Sequence, residues 1–341
     1  MSKPSHVLNF CLNLVVLAAP VAAADPQITG PFKHANLSIY LIHSGAKPTV
    51  RPLLTLQEAM AQKKTVVYET GEVNELSIEN TSSQDVFIQS GDIVKGGRQD
   101  RVLTTDFILP AHSGKLPITA FCVEQGRWTK RGNEAADQFT SSNAAVPGKS
   151  LKMAVRAGNS SNQGEVWTQV AAARQSLGGI SSPRPAGRTE SFGAASRDAS
   201  TSMQIALEDN AKTIEAYTRD LFPLAAGQND VVGFAYAING KLNSADVYDS
   251  HDLFVRMWPK LLAASAAEAV EDQAKAQGTA DDPEISAVRE MMSSAERAPA
   301  ASKQATGRAT VIKRETDQTL LFETSEKSPE GEWMHRSYVM K

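Results

Sequence analysis

The chain has 341 residues, of which 41% are hydrophobic and 21% are charged, a composition typical of a soluble globular protein. Its formal net charge is −3, so we expect no nucleic-acid partner and no attraction to an anionic membrane surface. The length is sufficient for one large domain or for two ordinary ones.

Residues 1–24 have the pattern of a cleaved secretory signal. Lys3 gives a positive start, residues 7–21 are mostly apolar, and three alanines precede Asp25, as at signal-peptidase sites. The apolar run is shorter than the roughly 20 residues of a membrane-spanning helix. We therefore predict an exported protein, periplasmic or secreted, with no stable membrane insertion after cleavage. A retained N-terminal anchor is the alternative.

Residues 36–128 are predicted to form a mostly antiparallel β unit. Short runs rich in β-branched and aromatic residues indicate strands, which we place at 36–43, 66–69, 75–80, 86–89, 102–109 and 116–123. Thr55 and Glu58 have the spacing of a capping box, which begins one short helix that ends at about residue 64. Residues 91–101, GDIVKGGRQDR, are predicted to form a glycine-rich, charged turn.

Residues 129–297 are predicted to be mainly helical. Apolar residues at helical spacing indicate helices at 150–157, 164–177, 202–222, 250–276 and 284–297. Asn239 and Gly240 separate two strand-like runs and predict a β-hairpin over 231–248. Two polar stretches are predicted to be irregular. Residues 129–142 are a loop, and residues 178–200 are either a mobile loop or a segment ordered by a partner.

The C-terminal part is predicted to close the fold. Residues 298–307 have the composition of a flexible connector, and strands are predicted at 308–313, 319–324 and 333–340. The order of elements lacks the regular strand–helix alternation of a doubly wound sheet. We therefore predict an α+β fold in which residues 308–341 return to the N-terminal sheet, so that residues 25–341 form a single domain.

The central stretch, residues 86–128, carries the most distinctive pattern. Only six residues connect its last two predicted strands, and so short a connection favours antiparallel pairing. That pairing returns the end of the second strand to the start of the first. We therefore predict that GGRQDR at 96–101 and CVEQGRW at 122–128 are neighbours, with Arg101 and Glu124 within reach of a salt bridge.

GGRQDRVL at 96–103, followed by PITAFCVEQGRW at 117–128, resembles the ARG and rhodanese-phosphatase-superfamily-associated protein domain family. LTLQEAM at 54–60 and GFAYAINGKL at 233–242 are also similar to that family, so the resemblance covers most of the chain after the signal. Asp100 stands where the family pattern leads us to expect Asn in many relatives. The resemblance implies the fold, a site at the paired motifs and a link to nucleotide-derived ligands, but it implies no mechanism.

The paired motifs supply the candidate ligand site. Its members are Arg98, Gln99, Arg101, Glu124, Arg127 and Trp128. In a functional interpretation, Arg101 and Arg127 clamp an anion, Glu124 acts as a base or orients the ligand, and Trp128 stacks on it. In a structural interpretation, the charged residues form a buried ion-pair network that fixes two strands, and Trp128 anchors the core. The sequence leaves both interpretations open.

Removal of residues 1–24 leaves Cys122 as the only cysteine, so stability has to come from a packed core instead of a disulfide. The nearby arginines favour a reactive thiol at Cys122, whereas its place in the apolar run ITAFCV favours a buried core residue. The histidines after the signal show no metal-ligand spacing, and a lone thiol excludes a zinc–thiolate cluster within one chain. We therefore predict no metal and no cofactor.

Three functions fit the sequence. The first is an exported module that binds a small anionic ligand at the paired motifs, with nucleotide-derived molecules as the class that the resemblance implies. The second is a hydrolase or transferase that acts on such a ligand with Glu124 as the base. The third is a structural protein of the cell envelope whose motifs fix the fold. The sequence identifies no protein partner.

Overall fold

The computed structural model describes residues 26–45, 49–157, 162–178, 202–273, 281–327 and 332–341. The predicted α+β class is confirmed, because antiparallel sheets dominate the structure and helices pack against them. The strands are Gln27–His34 (β1), Leu37–His43 (β2), Leu54–Thr55 (β3), Thr65–Glu69 (β4), Glu75–Asn80 (β5), Val86–Ile88 (β6), Asp92–Gly96 (β7), Arg101–Leu103 (β8), Phe107–Leu109 (β9), Gly114–Cys122 (β10), Phe139–Ala145 (β11), Val231–Ile238 (β12), Lys241–Tyr248 (β13), Ala300–Thr306 (β14), Ala309–Glu315 (β15), Thr319–Glu326 (β16) and Trp333–Met340 (β17). The helices are Leu56–Ala61 (α1), Lys149–Arg156 (α2), Gln163–Gly178 (α3), Met203–Asp209 (α4), Ala211–Arg219 (α5), Pro223–Ala226 (α6), His251–Asp272 (α7) and Ile285–Arg297 (α8).

The largest sheet has eight strands in the order β1-β2-β12-β13-β17-β16-β15-β14. It joins strands from both ends of the described chain to the central hairpin, so the predicted return of the C-terminal strands is confirmed. β12, with the sequence VVGFAYAI, is buried along its whole length, because α7 packs on one face of the sheet and α8 on the other. A strand that is covered on both faces needs apolar side chains on both.

The paired motifs lie in a six-stranded sheet of order β11-β7-β8-β10-β5-β4, beside a three-stranded sheet of order β3-β6-β9. β8 and β9 belong to different sheets, so the single strand predicted over 102–109 is wrong. The intervening residues are held by side chains instead of by a strand ladder. The hydroxyl groups of Thr104 and Thr119 lie 2.6 Å apart, and the Asp106 carboxylate accepts the backbone N–H of Ser90.

Three strands occur where the sequence predicted irregular structure. β7 lies within the predicted turn 91–101, β11 begins within the predicted loop 129–142, and β14 lies within the predicted connector 298–307. Both faces of β7 are largely buried, which hides the alternation that marks a strand. β11, FTSSNAA, and β14, AASKQAT, are edge strands, where small and polar residues are common.

The helix predicted over 202–222 is divided into α4 and α5, and the short helix α6 follows beyond its predicted end. Asn210 ends α4 with φ −100° and ψ 8°, and its side-chain amide donates to a carbonyl of that helix. The apolar side chains on both sides of the break, including Leu207 and Ile214, face the same core. The helical spacing therefore continues through Asn210 and does not reveal the break.

The local signals at helix starts and at the hairpin are confirmed. Thr55 and Glu58 form the predicted capping box, and the Ser250 hydroxyl caps α7. Asn239 and Gly240 have φ values of 51° and 73°, the positive values that this type of two-residue hairpin turn requires. The signal-like residues 1–24 and residues 179–200 of the predicted loop lie outside the described ranges.

A buried charge cluster joins the sheets. Nδ1 of His335, in β17, lies 2.6 Å from Oδ2 of Asp106, and Nε2 lies 3.1 Å from Oδ1 of Asp246, in β13. Burial by itself lowers the pKa of His335, but the charges and hydrogen bonds of the two carboxylates outweigh burial and raise this pKa to about 9. Both ring nitrogens are therefore protonated at neutral pH, and each donates to a carboxylate.

We expect the free energy of unfolding to fall when the pH rises from about 7 to about 10. Because the pKa of His335 in the folded chain lies above its ordinary value of 6.5, its stabilising contribution is fully present below pH 6.5 and is lost as the pH rises through about 9. Urea denaturation of the wild type and of His335→Gln at both pH values measures the effect. The variant lacks the titrating group and should lose less stability with pH; an equal loss in both proteins would contradict this assignment.

Candidate functional site

The two motifs are neighbours, as predicted. β8 and β10 are antiparallel, with Arg101 paired to Cys122. Beyond this pair, the N–H of Val123 donates to the carbonyl of Asp100, and the N–H of Asp100 donates to Oε2 of Glu124, at 3.0 and 3.1 Å. The motifs thus meet at one edge of the six-stranded sheet, which we call the motif rim (residues 96–101 and 122–128).

The two glycines of GGRQDR are explained by packing at the motif rim. Gly96 and Gly97 have φ values of 123° and 52°, which glycine adopts without strain. A Cβ atom on Gly97 would lie 2.4 Å from the ring of Phe139 and 2.9 Å from Oε2 of Glu69. These positions therefore require glycine because of the backbone and its neighbours.

Arg101 is buried, but the salt bridge predicted between it and Glu124 is wrong. Its Nη2 lies 3.6 Å from Oε2 of Glu69, and its Nη1 donates to the carbonyl of Gln99. Glu124 instead pairs with Arg127, whose Nε and Nη2 donate to its two oxygens at 2.8 and 2.6 Å. Arg127 reaches Glu124 because only three residues separate them along the chain, whereas Arg101 points across the sheet towards β4.

Asp100 and Arg131 complete this network, although neither was predicted as a site residue. Nη1 and Nη2 of Arg131 donate to the two Asp100 oxygens at 2.9 and 3.1 Å, and the Ser202 hydroxyl donates to the same carboxylate. A two-oxygen contact of this kind requires a carboxylate. The presence of Asp instead of Asn at position 100 was therefore the feature of the sequence that could have identified Asp100 as a member of the network. Arg131 lies in the predicted loop. Its neighbours in the sequence are polar, as they are for a solvated arginine, so the sequence gives no signal for its role.

Four of the six predicted site residues are buried or bonded to other protein groups at the motif rim: Gln99, Arg101, Glu124 and Arg127. The other two, Arg98 and Trp128, are exposed. Trp128 is 42% exposed, and its ring centroid lies 5.4 Å from the guanidinium of Arg98 and 5.7 Å from that of Arg101. The rim therefore consists of a buried ion-pair network with an aromatic cover.

Cys122 is a core residue. Its backbone N–H and C=O both bind the side-chain amide of Gln163, and its Sγ lies 3.7 Å from the carbonyl of Val73. Burial raises the pKa of the Cys122 thiol to about 11. A nucleophilic cysteine needs a lowered pKa and access to substrate, so the alternative of a buried core thiol fits the structure.

A second polar site, which the sequence analysis missed, lies in a cavity of about 460 Å³. It is bounded by α2, by strands β14 to β16 and by the segment between β8 and β9. Met153 and Leu320 contribute apolar surface, whereas Ser90 and Gln304 contribute polar groups. We call it the Arg156 cavity, after the arginine at the end of α2 that lines it.

Arg156 presents a cation to this cavity. Its guanidinium lies 4.8 Å from the ring centroid of Phe322, and it forms no hydrogen bond or ion pair with any described residue. Burial raises the pKa of Asp106, but His335 and then Arg156 outweigh burial and hold this pKa well below its usual range. Arg156 therefore lies at the edge of the buried charge cluster.

Comparison with known protein families matches residues 25–339 to the ARG and Rhodanese-Phosphatase-superfamily-associated Protein domain, ARPP-1. The chain belongs to this family. The resemblance drawn from the paired motifs is thereby confirmed. No curated protein and no solved structure matches the chain.

In this ARPP-1 member, the described ranges contain no group of three or more His, Cys, Asp or Glu side chains that could hold a metal ion. Within those same ranges, no helix is long and apolar enough to cross a membrane.

We expect Glu124→Ala to lower the free energy of unfolding of this ARPP-1 domain by about 3–5 kcal/mol, because it removes a fully buried carboxylate that binds Arg127 and the Asp100 N–H. Arg127 keeps only a longer contact with Asp100, at 3.6 Å. Glu290→Ala is the matched control, because Glu290 pairs with Arg297 on the surface. Loss of that exposed pair should cost less than about 1 kcal/mol. Urea denaturation of the two variants measures both values, and similar costs would show that the rim network contributes little.

We expect the Cys122 thiol to resist alkylation in the folded chain at about pH 8, because it is buried and its pKa is raised to about 11. Iodoacetamide labelling followed by mass spectrometry measures the reaction at this residue. The same thiol should react fully in the presence of urea. Rapid labelling of the folded protein would restore Cys122 as a candidate nucleophile.

Proposed function

We propose that the chain is an exported module that binds a small anionic ligand, and that the ligand binds in the Arg156 cavity. The sequence predicts the same function with the motif rim as the site. We move the proposed ligand site from the rim to the cavity because of Arg156, which faces a ligand-sized cavity and forms no ion pair with any described residue. Export rests on the signal-like residues 1–24 alone.

The Arg156 guanidinium is held in place by stacking. Its contact with the Phe322 ring at 4.8 Å is a cation–π interaction that keeps the group against one wall of the cavity. The N–H groups at the edge of a stacked guanidinium stay available, and they match two oxygens of a carboxylate or phosphate. Arg156 interacts electrostatically with Asp106 and Asp246 but hydrogen-bonds to neither, so a bound anion would accept from N–H donors that the described chain leaves unused.

The Arg156 cavity has the size and lining of a small-molecule site. Its volume of about 460 Å³ lies in the range of roughly 300–1,000 Å³ that is common for such sites. Met153 and Leu320 offer an apolar wall, and Ser90, Thr105 and Gln304 offer groups that can bind hydroxyls. A nucleotide-derived ligand, the class that the family resemblance implies, combines an anionic group, hydroxyl groups and an apolar face.

The motif rim is better suited to a structural role. Its carboxylates, Asp100 and Glu124, are bound by Arg127 and Arg131, so an anion that paired with either arginine would have to break these contacts. Arg101 lies 3.6 Å from Glu69 at a fully buried position, which leaves little room for a ligand beside its guanidinium, although Nε and Nη2 form no hydrogen bond with any described residue. The enzymatic alternative has Glu124 as the base. Both Glu124 oxygens accept from Arg127, and one also accepts the N–H of Asp100. We therefore favour ligand binding over catalysis, and the cavity over the rim.

A pair of arginine variants tests the function and its position. The mature chain, residues 25–341, is heated with a panel of nucleotides, sugar phosphates and carboxylates. A ligand present at about 100 times its Kd should stabilise the folded state by about 2.7 kcal/mol and raise Tm. We expect Arg156→Gln to weaken binding by about tenfold or more, whereas Arg98→Gln, which removes a cation of the motif rim, should leave binding unchanged.

Two results would contradict the proposal. If no anion in the panel raises the Tm of the wild type, the binding module itself is excluded. If Arg98→Gln loses the response and Arg156→Gln keeps it, the ligand binds at the motif rim. Gln304→Trp supplies an uncharged second variant, because Gln304 is exposed on β14 and lines the cavity. The larger side chain should narrow the cavity and weaken binding without disturbing the buried cluster.

A further inference from the structure

We infer that the anionic group of the ligand is a phosphate, and that Lys152 binds it together with Arg156. This inference rests on the proposed function and assigns the chemical class of its ligand. It follows from the placement of two cations on α2, from the donors that each leaves unused, and from the shape of the space between them.

Lys152 and Arg156 lie four residues apart on α2 and therefore project from the same face of the helix. Like charges at this spacing repel each other and destabilise an isolated helix. Both cations face the interior of the protein: Arg156 lines the cavity, and Lys152 lines a smaller chamber behind it. Asp246 offsets part of this repulsion, because it interacts electrostatically with both cations. An anion that contacts both side chains would offset it further.

Lys152 and Arg156 each keep unused donors. Nζ of Lys152 donates to the hydroxyl of Tyr236 at 2.9 Å and forms no ion pair with a described residue. An ammonium group has three N–H donors, so two remain. Arg156 stacks on Phe322 and uses none of its five N–H donors on the described chain. The two side chains together offer more donors than the two oxygens of a carboxylate can accept from one direction.

The cavity and the chamber meet beside these cations. Arg156 and Ser90 line both spaces, whereas Lys152 and Asp246 line the inner chamber, whose volume is only about 20 Å³. That chamber admits no more than a water-sized group. An anion therefore stops at the junction, where Arg156 meets it from the cavity side and Lys152 from the chamber side. A tetrahedral phosphate directs oxygens to both sides, whereas a planar carboxylate that fills the guanidinium fork has only lone pairs in its own plane left for a donor on the other side.

The carboxylates near this junction already have donors. Asp106 accepts from the Ser90 N–H, the Thr324 hydroxyl and His335. Asp246 accepts from the other nitrogen of His335.

Glu268 accepts from the Tyr236 hydroxyl, the Asn243 amide and a backbone N–H. Lys313, a further cation of the cavity, pairs with Glu315 at 3.0 Å. The cations left to bind an incoming phosphate are therefore Lys152 and Arg156.

Phenyl phosphate and benzoate form a matched pair of probes, because each joins one anionic group to the same ring. Isothermal titration calorimetry is performed with the mature chain and with Lys152→Gln, Arg156→Gln and Lys149→Gln. We expect the wild type to bind phenyl phosphate at least about tenfold more tightly than benzoate. Lys152→Gln should weaken only the phosphate, and Arg156→Gln should weaken both probes. Lys149→Gln removes a charge from the same helix outside the cavity and should change neither.

The outcomes separate this inference from the proposed function. If benzoate binds as tightly as phenyl phosphate and depends on Arg156, the phosphate assignment is overturned while the binding module stands. The same holds if Lys152→Gln weakens both probes equally or neither. If neither probe binds the wild type, both are contradicted. Lys152→Arg, which keeps the charge, should keep the preference for phosphate, and Lys152→Met replaces Lys152→Gln if the latter does not fold.

Discussion

The contact on which the rest of the structure depends is the buried imidazolium of His335 between Asp106 and Asp246. Asp246 and His335 belong to the eight-stranded sheet, whereas Asp106 lies where the chain passes from the six-stranded to the three-stranded sheet. The rings of Tyr248 and Phe87 lie 4.5 and 5.9 Å from that imidazole and exclude water from it. One charge network, closed in by aromatic rings, therefore fixes how the half with the motifs sits against the largest sheet.

The two polar sites differ in how their arginines are paired. At the motif rim, Asp100 and Glu124 form ion pairs with Arg127 and Arg131, and these ion pairs stabilise the pairing of β8 with β10. Beside His335, the carboxylates are bound by the histidine, so Arg156 keeps its donors. In our proposal, the part of the sequence that identifies the family thus stabilises the fold, and the ligand is bound by a helix with a far less distinctive sequence.

Sequence reasoning succeeded where the deciding interactions are local. The capping box at Thr55, the cap at Ser250 and the turn at Asn239 all depend on contacts within a few residues. The predicted adjacency of the motifs was right although its premise was not: residues 110–113 connect β9 to β10, which do not pair, and β8 pairs with β10 instead. The α+β class followed from the order of such elements along the chain.

Sequence reasoning failed where distant residues decide. The division of 102–109 depends on Ser90 and His335, which are far away along the chain. The strand character of β14 depends on the neighbouring β15, since its own residues are small and polar. The predicted partner of Arg101 was wrong. Glu69, Asp100 and Glu124 all lie near this rim, and the sequence does not show which carboxylate is nearest to the Arg101 guanidinium. The Arg156 cavity was missed because its walls come from segments that only the fold brings together.

The order of strands in the eight-stranded sheet also bears on biosynthesis. β17 lies in the interior of this sheet, between β13 and β16, and it ends one residue before the end of the chain. The principal sheet therefore cannot be completed until the ribosome has made β17, long after it has made β1 and β2. Pairings between such distant segments form slowly, and incomplete sheets leave apolar surface and strand edges open to other proteins. A newly made chain of this design therefore stays accessible to chaperones until β17 has been made.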